Sequence, residues 1–238
     1  MMEVQFAVAK IGKYATSESG DTLEMIERPH GGLSFVLVDG QRSGKSAKAI
    51  SNLVARKAIQ LLSEGVRDGA AARAAHDYLY TYRGGKVSAT LNMLSVDMET
   101  KTFVVSRNND SPVIVYTVAH GLYLLDEPSR SVGVHRNTKP VITEIPILPG
   151  TILVVFTDGL RHAGSLSGNG SYDPIAAAQR MICDNGLTTA RNLADALLAE
   201  ANEMDNGRPR DDISVLVVSV QPGKQKDDIR RMDVSLPI

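Results

Sequence analysis

Three runs in this chain, LSFVLV at 33–38, ILVVFT at 152–157 and ISVLVVSV at 213–220, are apolar along nearly their whole length. A strand that reads this way is buried on both faces and belongs in the middle of a sheet. Each run abuts aspartate: Asp39-Gly40 follows the first, Asp158-Gly159 follows the second, and Asp211-Asp212 precede the third. Carboxylates placed there lie at a sheet boundary rather than scattered over a solvated face. Where adjacent antiparallel strands carry them, an aspartate leaving one strand and an aspartate entering its neighbour meet at one edge. A single Asp-Gly is a common turn signature. Aspartates at three places, each against a long β run, predict a cluster of three or four negative charges.

The rest of the pattern sets these strands in an α+β sandwich. MEVQFAVAK and TLEMIER alternate as half-buried strands, and the turn at Pro29 to Gly32 closes a hairpin onto the run at 33–38. From Lys45 onward Ile50, Leu53, Val54, Ala58, Leu61 and Leu62 recur at helical spacing until Gly65, and an Ala-rich helix over 68–83 ends at Gly84-Gly85. Short β runs separated by turns fill 88–157 in an antiparallel beat. Two helices, over 173–184 and 188–204, precede the last strand. Strands in blocks with helices in pairs exclude a doubly wound parallel sheet. The domain is expected over 1–220, with 221–238 a polar break and then either an edge strand or a docked tail.

A net charge of −1 gives no global attraction for nucleic acid or an anionic membrane, and the absence of Trp leaves few stacking platforms for single strands. No apolar run approaches membrane-spanning length and the N-terminus lacks a signal pattern, so a cytoplasmic protein is expected. The one cysteine, Cys183 in AAAQRMIC, reads as an inert core thiol.

The segment DGQRSGKS imitates a phosphate-cradling loop, but that motif needs glycine where Asp39 stands. A carboxylate there would oppose the anion its amide nest attracts, so no nucleotide site is expected. Carboxylates packed together raise one another's pKa unless a cation compensates them. All-oxygen ligation, with no His or Cys in the set, points to Mg²⁺ or Mn²⁺. Asp21, in the turn SGD, is a fourth candidate.

The ordered set SGD (19–21), VDGQRSGKSA (38–47), LPGTILVVFTDGL (148–160) and RDDISVLVV (210–218), with SRNNDSP (106–112) and SVGV (131–134), resembles the PPM (type 2C) metal-dependent protein phosphatases in their short bacterial SpoIIE-like form. The resemblance covers about residues 1 to 220. It implies a four-layer α/β/β/α sandwich with two central antiparallel sheets and two Mn²⁺ or Mg²⁺ ions at one end. By the same resemblance Asp39 bridges both metals, the Gly40 carbonyl binds one, and Asp158 and Asp211 bind the other. Asp21 then holds metal-bound waters, and Asp212 takes a position where the family has Asn or Asp.

The implied activity is hydrolysis of phosphoserine or phosphothreonine on a protein by metal-activated water, with a STAS-domain regulator in stress or sigma-factor signalling as the expected partner. By the same resemblance Asp39, Asp158 and Asp211 are expected to carry the catalysis. The chain departs from the pattern at Gln41, Arg42 and Ser43, where many members have a histidine that protonates the leaving alcohol. No arginine near the N-terminus matches the phosphate grip of many eukaryotic relatives, and Lys13, Arg42 and Lys45 are its candidate substitutes. A phosphatase-like module that binds phosphoprotein without turnover is the alternative. SGKS is expected to begin a helix, with Gly44 permitting a close approach and Ser43 or Ser46 as cap. Substrate choice is assigned to the loops at 84–87, 126–139 and 161–173, the last holding a Gly/Ser-rich flap at 163–173.

Overall fold

The computed structural model describes residues 2–165, 168, 170–223 and 229–236. The chain runs β1 (Met2–Ile11), β2 (Asp21–Glu27), β3 (Leu33–Gly40), α1 (Gly44–Ser63), α2 (Asp68–Arg83), β4 (Ala89–Asp97), β5 (Thr102–Asn108), β6 (Val113–Thr117) and β7 (Gly121–Leu125). It continues through β8 (Val141–Pro146), β9 (Ile152–Phe156), α3 (Gly159–His162), α4 (Pro174–Gln179), α5 (Ala190–Met204) and β10 (Ile213–Pro222). Two five-stranded antiparallel sheets result, one ordered β2-β3-β4-β5-β8 and the other β1-β10-β9-β6-β7. The expected α+β sandwich is present, with α1 and α2 covering the first sheet and α4 and α5 the second.

The apolar runs owe their composition to this layering. Phe35 and Leu37 of β3 face the core between the sheets, whereas Val36 and Val38 face α1 and α2. On β10, Leu216, Val218 and Val220 point into the same inter-sheet core, and Ile213, Val215 and Val217 pack under α5. Burying each such side chain contributes about 1.5–3 kcal/mol, so both faces of these strands must be apolar. The strands at 88–157 do not form one meander: β4 and β5 pair in the first sheet, β6 and β7 in the second, and β8 returns to the first. The helix expected over 173–184 is α4 followed by a wider π-helical turn, Arg180–Asp184. That turn leaves Cys183 exposed while Met181 and Ile182 stay buried, which overturns its reading as a core thiol.

A polar chain ties the first sheet to the start of α2. Asp68 accepts from Arg28 Nη1 at 3.1 Å and from the Ser95 hydroxyl, which in turn contacts the Ser34 hydroxyl at 2.6 Å. Arg28 also donates to the Val66 carbonyl at 3.1 Å. Removing one partner of a buried ion pair strands the other. Asp68→Ala is therefore expected to lower stability by about 3 kcal/mol in urea unfolding. A loss below about 1 kcal/mol would show that the tie is solvated.

Beyond β10, residues 229–236 form no strand, so the edge-strand alternative for the tail is not seen among the described residues. Arg230 instead contacts Glu27 at 3.4 Å and the Gly31 carbonyl at 2.7 Å, holding the tail beside the β2–β3 turn. No helix among the described residues is long and apolar enough to cross a membrane.

Candidate metal centre

Asp39 closes β3, Asp158 follows β9, and Asp211 precedes β10. Because β3 lies in one sheet and β9 and β10 in the other, the aspartates do not meet along a single sheet edge. They meet across the gap at one end of the sandwich, around a cleft of about 420 Å³. Asp39, Gly40, Asp158 and Asp211 all line it. Asp158 lies near enough to Asp39 to raise its pKa. Ligand atoms of Asp158, Asp211 and His162 lie within 4.8 Å of one another.

Asp21 is placed by pairing. It stands opposite Asp39 in the β2–β3 ladder, and Thr90 stands opposite Asp39 on the other side. Asp21 is wholly buried, and its Oδ2 accepts from the Thr157 hydroxyl at 2.9 Å and the Ser214 hydroxyl at 2.6 Å, both from the second sheet. Its main-chain carbonyl accepts from Lys10 Nζ at 2.7 Å and Lys48 Nζ at 2.8 Å. Asp21 is thus a staple between the sheets as well as a member of the acidic group.

The electrostatics follow from this convergence. Burial, and then the charges of Asp21, Asp158 and Asp211, push Asp39 up to about 9. Burial raises Asp21 to about 7 against the opposing hydrogen bonds from Ser214 and Thr157. Asp211 is raised by burial and by Asp158, with Lys13 pulling the other way. Carboxylates in this state hold protons they would exchange for a cation.

The donor set fits hydrated divalent ions. Asp21 Oδ1 and Thr90 Oγ1, on either side of Asp39, are buried with no protein partner. Buried polar atoms of this kind call for water or an ion. Both Asp-Gly glycines are sterically required. A Cβ at Gly40 would lie 2.1 Å from the Ala47 carbonyl oxygen, and one at Gly159 would lie 2.1 Å from the Asp212 carbonyl oxygen.

Several sequence expectations are corrected. The set is not free of histidine, because His162 sits one helical turn after Asp158 with Nδ1 3.9 Å from its Oδ2. The spacing of four residues was the available signal. Gly44 has open space where a Cβ would be and is needed for its φ of +68°, so Gly40 makes the close approach. Ser43 occupies the cap position of α1 but its hydroxyl makes no capping bond. Asp212 is buried and accepts from the Lys13 and Gly20 amides at 2.9 and 2.7 Å, which gives it the task of holding the β1–β2 loop. Lys13 and Arg42 line the cleft and Lys45 does not.

Ser88, Thr90 and Ser131, which sequence reasoning did not single out, also line the cleft. Asn108 of the SRNNDSP segment donates to the Arg130 carbonyl at 3.0 Å and so holds the irregular segment leading to Ser131. Of the flap at 163–173, residues 166, 167 and 169 lie outside the described residues. Its ends are anchored: the Gly164 amide donates to Asp205 at 2.9 Å, and the Tyr172 amide to the Ala163 carbonyl at 2.8 Å.

Comparison with known proteins places these features in a family. The profile of the stage II sporulation protein E (SpoIIE) family matches residues 29–221. No curated protein sequence matches the chain. Among solved structures, the PP2C phosphatase domain with a fragment of the regulatory domain of SpoIIE from Bacillus subtilis superposes with a TM-score of 0.78 at 18% identity. That match covers 94% of this chain, and the chain spans 65% of the length of that one. The RsbU and RsbW domains of a Mycobacterium tuberculosis protein give a TM-score of 0.68 at 18% identity, covering 92% of this chain and 60% of the other. The catalytic domain of the serine/threonine phosphatase PstP, solved with two manganese ions, gives 0.66 at 16% identity, covering 93% and 100%.

Proposed function

The chain belongs to the SpoIIE family, whose fold is that of the PP2C (PPM) phosphatases, and from that premise we propose that it hydrolyses phosphoserine or phosphothreonine on a protein with metal-activated water. The observation that carries this reading is the arrival of Asp39 from one sheet beside Asp158 and Asp211 from the other, at an open cleft. Two Mn²⁺ or Mg²⁺ ions held by Asp39, the Gly40 carbonyl, Asp158 and Asp211 would supply a water of lowered pKa and charge to offset the phosphoryl oxygens.

The chain's own residues do the rest. Gly159 lets the segment after Asp158 pack against the backbone of Asp212, beside Asp211, and Gly40 lets the end of β3 pack against Ala47 of α1. Asp21 Oδ1 and Thr90 Oγ1 offer free acceptor sites to entering water, beside Asp39. Cys183 does not line the cleft, so no thiol nucleophile is involved. The residues after Asp39-Gly40 provide no imidazole, and the nearest one in the cluster belongs to His162. That departure favours, as a second reading, a module that binds phosphoprotein with slow turnover.

The expected substrate is a phosphorylated STAS-domain regulator in the cytoplasm, within stress or sigma-factor signalling. The likeness to a structure of RsbU and RsbW domains supports a place in such regulation. The catalytic domain is taken to end with β10, leaving the residues after Pro222 as an appended tail. Hydrolysis of p-nitrophenyl phosphate is expected to appear with Mn²⁺ and vanish with EDTA. In Cys183→Ser it should stay within about twofold of wild type. Turnover that survives EDTA, or that Cys183→Ser abolishes with the fold intact, would refute the metal-water reading. Metal binding without turnover would favour the binding module.

A further inference from the structure

Arg42 has a backbone φ of +79°, in the left-handed region that side chains other than glycine seldom adopt. Among the described residues four others with side chains share this trait, Ala15, Lys101, Asn137 and Asn206, and none of them lines the cleft. The turn is fixed from the side. The Gln41 amide donates to the Ser88 carbonyl at 3.1 Å, and the Ser88 amide returns a bond to Gln41 Oε1 at 3.2 Å. Pinned in this way to the rim, the chain turns sharply at Arg42 before α1 begins. Yet the guanidinium makes no hydrogen bond or ion pair with any described residue. Strain of this kind, kept without an internal partner, is characteristic of a residue held for a ligand.

The ligand's chemistry follows from the surroundings. A phosphomonoester dianion entering this cleft approaches Asp39, Asp158 and Asp211, and a cationic side chain at the rim would add to the charge that bound divalent ions supply. Of the candidate side chains, Lys45 lies outside the cleft, and Lys13 already acts on Asp211. Arg42 is the one of the three that lines the cleft without being among the charges acting on Asp39 or Asp211. Its planar fork matches two phosphoryl oxygens, which an ammonium cannot do. We propose that Arg42 is the phosphate-gripping residue of this chain, presented to the phosphoryl group of the substrate by its left-handed backbone. This deepens the phosphatase reading and rests on it.

The backbone conformation supplies a clean test. Glycine adopts a positive φ without strain, so Arg42→Gly removes the guanidinium while relaxing the turn. Its melting temperature should equal or exceed that of wild type. Titration of the Mn²⁺-loaded protein with inorganic phosphate should show binding about tenfold weaker in Arg42→Gly and about threefold weaker in Arg42→Lys. KM for p-nitrophenyl phosphate should rise in the same order, with kcat changing less. Phosphate binding by Arg42→Gly within twofold of wild type overturns the proposal. So does a fall in melting temperature that accounts for the loss, or an effect seen with a phosphopeptide but not with free phosphate. The wild-type assay separates the two claims: without p-nitrophenyl phosphate turnover the phosphatase reading falls, while the phosphate titration still decides Arg42.

Discussion

Asp39→Asn is expected to abolish Mn²⁺-dependent turnover, by about a thousandfold or more, while making the metal-free protein more stable at pH 8. The two effects share one cause. Asp39 is surrounded by Asp21, Asp158 and Asp211, and in the folded chain it titrates at about 9. In the unfolded chain it returns to the ordinary carboxylate range. The folded state therefore holds an extra proton between these limits. The associated stability is complete below about pH 4, and it is lost as pH rises through 9. Asp21, raised to about 7, adds to the decline in the same direction. An amide at position 39 has no proton to lose, and its part of the decline disappears. Urea unfolding in EDTA at pH 5 and pH 8 measures this directly. Wild type should weaken between the two, and Asp39→Asn should weaken less. A variant less stable than wild type at pH 8 in EDTA would mean that Asp39 supports the fold rather than burdening it.

Gly159→Ala should damage both fold and activity, although it adds a single methyl group in a helical segment where alanine is otherwise favoured. Its Cβ would meet the Asp212 carbonyl oxygen at 2.1 Å and Asp211 Cβ at 3.4 Å. The first obstacle is backbone, so no side-chain rotation relieves it. Overpacking of this type costs about 1–3 kcal/mol. The relief available is to push α3 and the start of β10 apart, which separates Asp158 from Asp211. A displacement near 1 Å in a reacting constellation costs about a hundredfold in rate. Gly44→Ala is the matched control. Gly44 has open space around it and a φ of +68°, so the change costs about 1 kcal/mol of backbone strain and leaves the carboxylates in place. Wild-type turnover in Gly159→Ala, with melting temperature unchanged, would show that the two segments are not in contact.

Much of the molecule was legible from its residues because apolar patterning reports burial directly. β3, β9 and β10 read as central strands since both faces of each are covered. The same symmetry hid which sheet each strand joins. An uninterrupted apolar run carries no mark of its neighbours, so Asp39 was expected on the same edge as Asp158 and Asp211. Cys183 misled because the stretch 176–183 is apolar in composition, while the π-helical turn at Arg180–Asp184 rotates the thiol outward. The close approach expected of Gly44 fails for a related reason. Whether a Cβ fits depends on what packs opposite, which for Gly40 is the carbonyl of Ala47 and for Gly44 is nothing. His162 follows Asp158 at a spacing of four, but that spacing counts only within a helix, and α3 is four residues long, too short for an apolar period to mark it as one.

The double duty of Asp21 has a consequence for how the molecule assembles. Its partners Thr157 and Ser214 lie 136 and 193 residues away along the chain. The acidic group does not exist until both halves of the sandwich have formed and stacked. A cation held by that group, as proposed above, would find its seat only at the end of that process. It would act as a bolt on a finished door, retarding the opening of the sandwich without guiding its construction.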